Sequence, residues 1–270
     1  LVDNTASLYS VNSLTGYLKS LGHKAPKSAV SDYLEWFEDA YFLFTVRIFD
    51  ASRAKLKEEI MPVFIPPKFD TLVADDNGVR ENLTLEQLTK LKPAFDRRSG
   101  TVTAGNSSQI TDGACALLLM EEAKARAMGY EILGTIAAYE YIGLEPSEMG
   151  MGPAFVIEKI LRKTGFGLKD IDLFEMNEAF AAQVLASCDA LASKKFAQEH
   201  FPGGQAVGQI DPGILNVNGG GIALGHPVGV TGARLTLTCL KEMKRRGLKR
   251  GLVSLCIGGG QGGGILLERD

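Results

Sequence analysis

Three short stretches of this 270-residue chain carry polar, reactive side chains, two of them beside glycines. They are Asn177-Glu178-Ala179-Phe180, the run from Gly219 to Gly229 around His226, and Cys256-Ile257-Gly258-Gly259-Gly260-Gln261-Gly262. Cys256 directly follows Leu252-Val253-Ser254-Leu255, so its thiol belongs at a strand end, where it can exchange a proton with a bound molecule. A small buried cysteine can also simply finish a strand. The glycines from Gly258 to Gly264 tolerate positive φ and close backbone approach, so bare N–H groups there can point at a ligand oxygen. His226 lies between Gly225 and Pro227, just ahead of an expected helix whose N-terminus favours an anion. Imidazole is the usual proton shuttle near neutral pH, and the bland alternative is a loop histidine that caps or packs. Asn177 ends a short strand. Its amide could position a water or donate to an oxyanion, although taken alone it reads as an ordinary helix cap.

Other patterns carry less. Gly258-x-Gly260-x-x-Gly263 spells a dinucleotide fingerprint, but Ile265-Leu266-Leu267 reads as a strand where the fingerprint needs a helix. Gly105-Asn106-Ser107-Ser108 is a small polar turn. The cluster Lys241, Lys244, Arg245, Arg246, Lys249 and Arg250 suits a helix C-terminus and its solvation. The aromatics between Tyr33 and Phe49 fall at helical spacing and are expected to pack.

Positioning those residues requires strands and helices in alternation. Residues 1 to 96 are charged and aromatic with little strand pattern, and prolines stand at 62, 66, 67 and 93. From Thr101 onward, apolar strands alternate with helices. The patterning predicts helices from Thr111-Asp112 to Met128, from Pro153 to Gly165, over Glu178–Leu191 and over Gly232–Arg246. It predicts strands over Ile132–Ala138, Leu173–Met176, Leu215–Asn218, Gly251–Ile257 and Gly264–Glu268. Alternation of this kind implies a layered α/β fold with helices covering a sheet on both faces. The two closing strands, joined by a glycine turn, make that sheet mixed.

Composition narrows the partners. Hydrophobic and charged contents of 45% and 23% are those of a soluble globular protein. A formal charge of −3 offers no basic excess to neutralise nucleic acid. No apolar run approaches the length of a transmembrane helix. Cys115, Cys188, Cys239 and Cys256 show no C-x-x-C spacing, so neither a zinc framework nor a disulfide scaffold is expected. A reducing intracellular compartment, cytoplasm or mitochondrial matrix, fits better. Leu1 to Ser20 resembles neither a secretory signal nor a transit peptide, and the chain reads as a piece of a larger protein.

Taken together, Thr101 to Ser108, the Asn177 segment, Gly225-His226-Pro227 and Cys256-Ile257-Gly258 resemble thiolases in order and local context. The resemblance covers Lys55 to Asp270. Lys57-Glu58-Glu59-Ile60 and Lys92-Pro93-Ala94-Phe95-Asp96-Arg97 are similar to the long-chain β-oxidation type found in trifunctional complexes. Asn177 and the Ile257-Gly258-Gly259 wording instead look like ordinary degradative and biosynthetic thiolases. Residues 1 to 54 match poorly, and the serine–histidine pair expected near Ile48-Phe49 is absent.

The resemblance implies a partial loop domain over 1–96 and a thiolase C-terminal domain over 97–270. It implies thiolytic cleavage of 3-ketoacyl-CoA to acetyl-CoA and a shortened acyl-CoA, or the reverse condensation. Coenzyme A enters as substrate, with no separate cofactor and no metal. By resemblance, Cys256 is the second cysteine, which exchanges the proton at the α-carbon of the acetyl-CoA fragment. His226 activates the nucleophilic cysteine and helps hold the thioester oxygen. Asn177 holds the water that completes that oxyanion hole, the N–H of Gly258 faces the other, and Ser108 contacts the pantetheine arm of CoA. The family's nucleophilic cysteine lies earlier in a longer chain, and no segment here resembles its loop. The expectation is therefore a C-terminal portion, inactive alone, from a homo-oligomer or a β-oxidation multienzyme complex. The alternative is a non-catalytic fragment that binds CoA or supports assembly. A ketosynthase uses two histidines, or histidine and lysine, with its cysteine, and Cys256 at the last strand pair favours thiolase.

Overall fold

A computed structural model describes residues 63–64, 71–73 and 83–270, all within the unit Thr45–Asp270. The aromatic segment Tyr33–Phe49 and the Lys57–Ile60 resemblance lie outside the described residues. Strands β1 (Val63–Phe64) and β2 (Leu72–Val73) pair antiparallel. Helix α1 (Leu85–Thr89) opens with a capping box: the Gln87 N–H donates to Thr84 Oγ1, and the Thr84 N–H donates to Gln87 Oε1.

Among the described residues the main sheet has four strands: β3 (Thr135–Gly143), β4 (Leu173–Met176), β5 (Arg250–Ile257) and β6 (Gln261–Glu268), ordered β3-β6-β5-β4. β4 and β5 run parallel, while β6 is antiparallel to both of its neighbours. The sheet is mixed, as expected.

Alternation along the strands divides two cores. Phe174, Met176, Leu252 and Leu266 face α3 (Gly152–Thr164) and α4 (Ala181–Ala192), joining Ile157, Ile160 and Leu191. Leu173, Val253 and Leu267 face the other way, onto Leu235, Cys239 and Met243 of α7 (Thr231–Arg246). Burying each such side chain contributes about 1.5–3 kcal/mol. Two short helices, α5 (Lys194–His200) and α6 (Gly221–Leu224), lie between α4 and α7 in the chain. β3 is one of the two edge strands and is covered on one face only. Ala138 and Ile142 pack toward α3, while Tyr139 and Tyr141 are exposed on the other side.

Three sequence expectations are corrected. The helix expected over Thr111–Met128 is present only as α2 (Glu122–Ala127), and residues 112–121 have no regular structure. Leu118 and Leu119, which would dock such a helix, are 73% and 71% exposed, and without a packed face a helix gains little. Cys115 therefore does not sit in a helix. Leu215–Asn218 is not a strand: Leu215 makes a single bridge to Phe174, and Asn216 then takes φ 47. Finally, α4 starts at Ala181 rather than Glu178, because residues 178–180 are committed to contacts described below. The basic cluster at the end of α7 pairs within the chain: Arg245 and Arg246 with Glu242, Lys244 with Glu131, and Arg250 with Glu268.

Candidate active site

The C-terminal ends of the parallel strands β4 and β5 supply the scaffold. Beyond Met176 the ladder continues by one bond, in which the Asn177 N–H donates to the Ser254 C=O at 2.9 Å. Asn177 is completely buried. Its Nδ2 lies 3.4 Å from His226 Nε2, and its Oδ1 has no hydrogen-bond partner. Two residues separated by 49 positions in sequence thus meet side chain to side chain.

The His226 ring is held from behind. Its Nδ1 is 2.7 Å from Thr231 Oγ1, and the Thr231 hydroxyl lies 3.2 Å from the Pro227 C=O as a donor. A hydroxyl that gives its hydrogen to the carbonyl can only accept from the ring. Nδ1 then carries the imidazole hydrogen, and Nε2 presents its lone pair toward the Asn177 amide, which donates. Thr231 is fully buried in the first turn of α7, so this arrangement is fixed by the start of a helix. Burial, followed by the nearby Arg234 guanidinium, pushes the His226 pKa below its ordinary value. The ring is neutral at pH 7 and available as a base.

Gly225 sets the path into His226. It has φ 89, and the space where its side chain would stand is filled by Thr111. The next residue's N–H donates to the Gln109 C=O at 2.9 Å. The same polar segment is tied to the entry of α4: the Ser108 N–H donates to Ala179 C=O, and the Ala181 N–H donates to Asn106 C=O. Residues 106–109 thus strap the Asn177 loop to the His226 loop, with half-buried Ser108 in the strap.

Glu178 and Asn216 brace the loops from below, a role that the sequence reading missed. Asn216 places its carboxamide on both backbone groups of Met176, accepting from N–H and donating to C=O at 2.8 Å each. It also donates to Glu178 Oε1 at 2.8 Å, while Glu178 Oε2 accepts from the Ile222 N–H of α6 at 3.2 Å. The only sequence hint was a polar residue closing an apolar run at Leu215.

Cys256 arrives on β5, two residues past Ser254, paired with Gly262 and 7% exposed. Burial pushes its thiol pKa up, so it is protonated at neutral pH. Alternation puts it on the α3–α4 side, and its backbone packs against Gly152. It therefore flanks the end of the sheet from one side, while Asn177 and His226 approach from the α7 side. Gly258 follows at the exposed start of the turn Gly258–Gly260, where the space for a side chain is open. This is a hairpin turn and not a helix start, which agrees with rejecting the dinucleotide pattern. Among the described residues no cluster of His, Cys, Asp and Glu could hold a metal ion. No described helix is long and apolar enough to cross a membrane.

A neutral imidazole held against Asn177 and a buried, protonated thiol both lie by the C-terminal ends of the parallel strands β4 and β5. Residues 130–269 match the family described as thiolase, C-terminal domain, and residues 48–123 match thiolase, N-terminal domain. The chain is 48% identical over 216 residues to the 3-ketoacyl-CoA thiolase of Pseudoalteromonas translucida, covering 79% of this chain and 49% of that one. Among solved structures it is similar to the dimeric peroxisomal thiolase of Saccharomyces cerevisiae (39% identity, TM-score 0.66, 78% of this chain and 49% of that one). It is also similar to human mitochondrial 3-ketoacyl-CoA thiolase in complex with CoA (37% identity, TM-score 0.63, 77% and 48%). The chain thus spans about half the length of the curated relatives that it matches, and it belongs to the thiolase family.

Proposed function

We propose that the chain supplies the acid–base half of a 3-ketoacyl-CoA thiolase, with residues 97–270 as its C-terminal domain and residues 1–96 as part of its loop domain. One observation supports this reading: Asn177 meets His226 side chain to side chain past the end of β4, with Thr231 behind the ring, while Cys256 is buried near the end of the neighbouring strand β5.

In thiolysis a cysteine thiolate adds to the C3 ketone of the substrate, and that cysteine is contributed by the rest of a longer protein. The neutral Nε2 of His226 takes the proton from that thiol. The C2–C3 bond then breaks, leaving its electron pair on C2 as the enolate of acetyl-CoA. Asn177 Nδ2, through a water, and protonated His226 Nε2 stabilise the thioester oxygen, and such preorganised donors can each be worth several kcal/mol. Cys256 gives its Sγ proton to C2, which yields acetyl-CoA. The Gly258 N–H faces the oxyanion formed when CoA attacks the acyl-cysteine. Ser108, in the strap between the loops, contacts the pantetheine arm. CoA serves as substrate, and CoA thioesters are the partners. A homo-oligomer, alone or within a multienzyme complex, is the working assembly.

The test joins this chain to the preceding half of a 3-ketoacyl-CoA thiolase and measures thiolysis of acetoacetyl-CoA by CoA. Turnover that His226→Ala lowers by roughly 10²-fold or more supports the reading, given the contribution of a general base. A folded, full-length protein with no turnover, or one indifferent to His226→Ala, overturns it.

A further inference from the structure

Two buried polar side chains near Cys256 have no partner, and the mechanism above uses neither. Gln183, the third residue of α4, is 7% exposed, and both its Nε2 and its Oε1 lack hydrogen bonds. Ser254 is 1% exposed, and its Oγ is likewise unpaired. Buried polar groups in folded proteins are nearly always satisfied by protein or ordered water, so such a pair calls for an occupant.

Their positions indicate where it sits. Ser254 precedes Cys256 by two residues on β5, and both point to the α3–α4 side of the sheet. Side chains on a helix lean toward its N-terminus, so the Gln183 carboxamide reaches back toward the end of β4. A turn of 3₁₀ helix, Pro146–Met151, leads into α3 between these elements. A side chain on Gly150 would come within 3.3 Å of Gln183 Cγ, and one on Gly152 would come within 3.3 Å of Cys256 Cα. Two glycines two residues apart thus remove the bulk that would separate the carboxamide from the cysteine.

We propose that Gln183 is a positioning residue for Cys256, its carboxamide and the Ser254 hydroxyl holding one ordered water against the sulfur. A buried water needs two to four polar partners, and the two amide atoms, the hydroxyl and Sγ provide that number. The role rests on the thiolase reading. When the Sγ–H bond breaks and the proton passes to C2, the electron pair stays on a sulfur that burial disfavours as an anion. A water held by Gln183 donates to it at that moment. The ionisable groups on the packed elements turn elsewhere: Glu148 and Asp189 are exposed, and Glu158 is paired with Arg162.

The experiment reads the thiol and not turnover, so it stands whether or not the thiolase reading survives. The full chain is treated with methyl methanethiosulfonate across pH, and modification of Cys256 is followed by peptide mass spectrometry. Gln183→Met keeps the length and removes both polar atoms. The expected result is a Cys256 profile displaced to higher pH, with modification at pH 8 slowed by about tenfold, as thiolate fraction governs the rate. A carboxamide that merely packs would leave the profile within twofold of the parent, and that outcome overturns the proposal. If Gln183→Met does not fold, Gln183→Glu carries the test, because its carboxylate must move the profile higher still. An unmoved profile in Gln183→Glu is equally fatal.

Discussion

At the scale of single residues, Thr231 governs which nitrogen of His226 can act. Its hydroxyl donates to Pro227 and so accepts from Nδ1, which leaves Nε2 bare toward Asn177. Thr231→Val keeps the shape and removes the acceptor, so either tautomer becomes available. In the completed enzyme this is expected to lower kcat about ten- to hundredfold, part of what a general base contributes, with Thr231→Ser restoring it. Equal activity of the valine and serine variants would refute the tautomer assignment. The direction of the His226 shift gives a second expectation. Its pKa lies below the ordinary 6.5, first from burial and then from Arg234. Above 6.5 neither the folded nor the unfolded chain protonates this ring. As pH falls from 6.5 toward the folded value, the unfolded chain takes up the proton first, so stability is lost in that window. Imidazole NMR titration should find His226 protonating below 6.5, and His226→Gln should flatten the stability profile there. A His226 midpoint above 6.5 would contradict the burial described.

At the scale of elements, the close approach of α3 to the β5–β6 hairpin is what places Cys256. Gly152, the first residue of α3, has no room for a side chain: one would meet Gln261 O at 2.8 Å, Gly262 Cα at 2.9 Å and Cys256 Cα at 3.3 Å. All three are backbone atoms, which cannot swing aside. Gly152→Ala is expected to destabilise the protein by about 1–3 kcal/mol, the usual range for overpacking, as measured by urea unfolding. An unchanged midpoint would mean that the helix tolerates displacement. The sequence made α3, β4 and α7 legible because their caps and apolar periods agree with the packing. Pro153, Gly165 and the run Leu173–Met176 each mark a true boundary. Residues 112–121 misled because helix propensity there has no packed face to reward it. Leu215–Asn218 misled because an apolar run ends at Asn216, whose carboxamide replaces the ladder that a strand would have made. His226 and Cys256 were readable as types beside glycines, and Asn177 as a polar residue ending a short strand. Thr231, Glu178 and Asn216 were not, since their roles come from hydrogen bonds across long sequence separations.

At the scale of the whole molecule, the described surface carries apolar groups where a folded domain would hide them. Tyr139 and Tyr141 on the open face of β3 are 63% and 66% exposed, and Ile110, Leu118 and Leu119 more so. Such surface marks a contact site, and we propose that the rest of a longer protein covers it. The proposed thiolysis depends on that same longer protein. Thiolysis needs a thiolate that attacks the C3 ketone, and the chain has four cysteines to offer. Cys188 and Cys239 are buried in α4 and α7, where desolvation raises both pKa values, with Asp189 adding to the first and Glu175 and Glu242 to the second. Cys256 is also raised by burial, and the proposed mechanism uses it as the proton donor. Cys115 is half-buried in the stretch without regular structure. None of Cys188, Cys239 and Cys256 combines access with a depressed pKa, the conditions for a reactive cysteine. The purified 270-residue chain, mixed with acetoacetyl-CoA and CoA, is therefore expected to leave the enolate absorbance unchanged. Turnover in a preparation of confirmed mass would show that one of these four cysteines is the nucleophile, and Cys115→Ser and Cys256→Ser would then identify which.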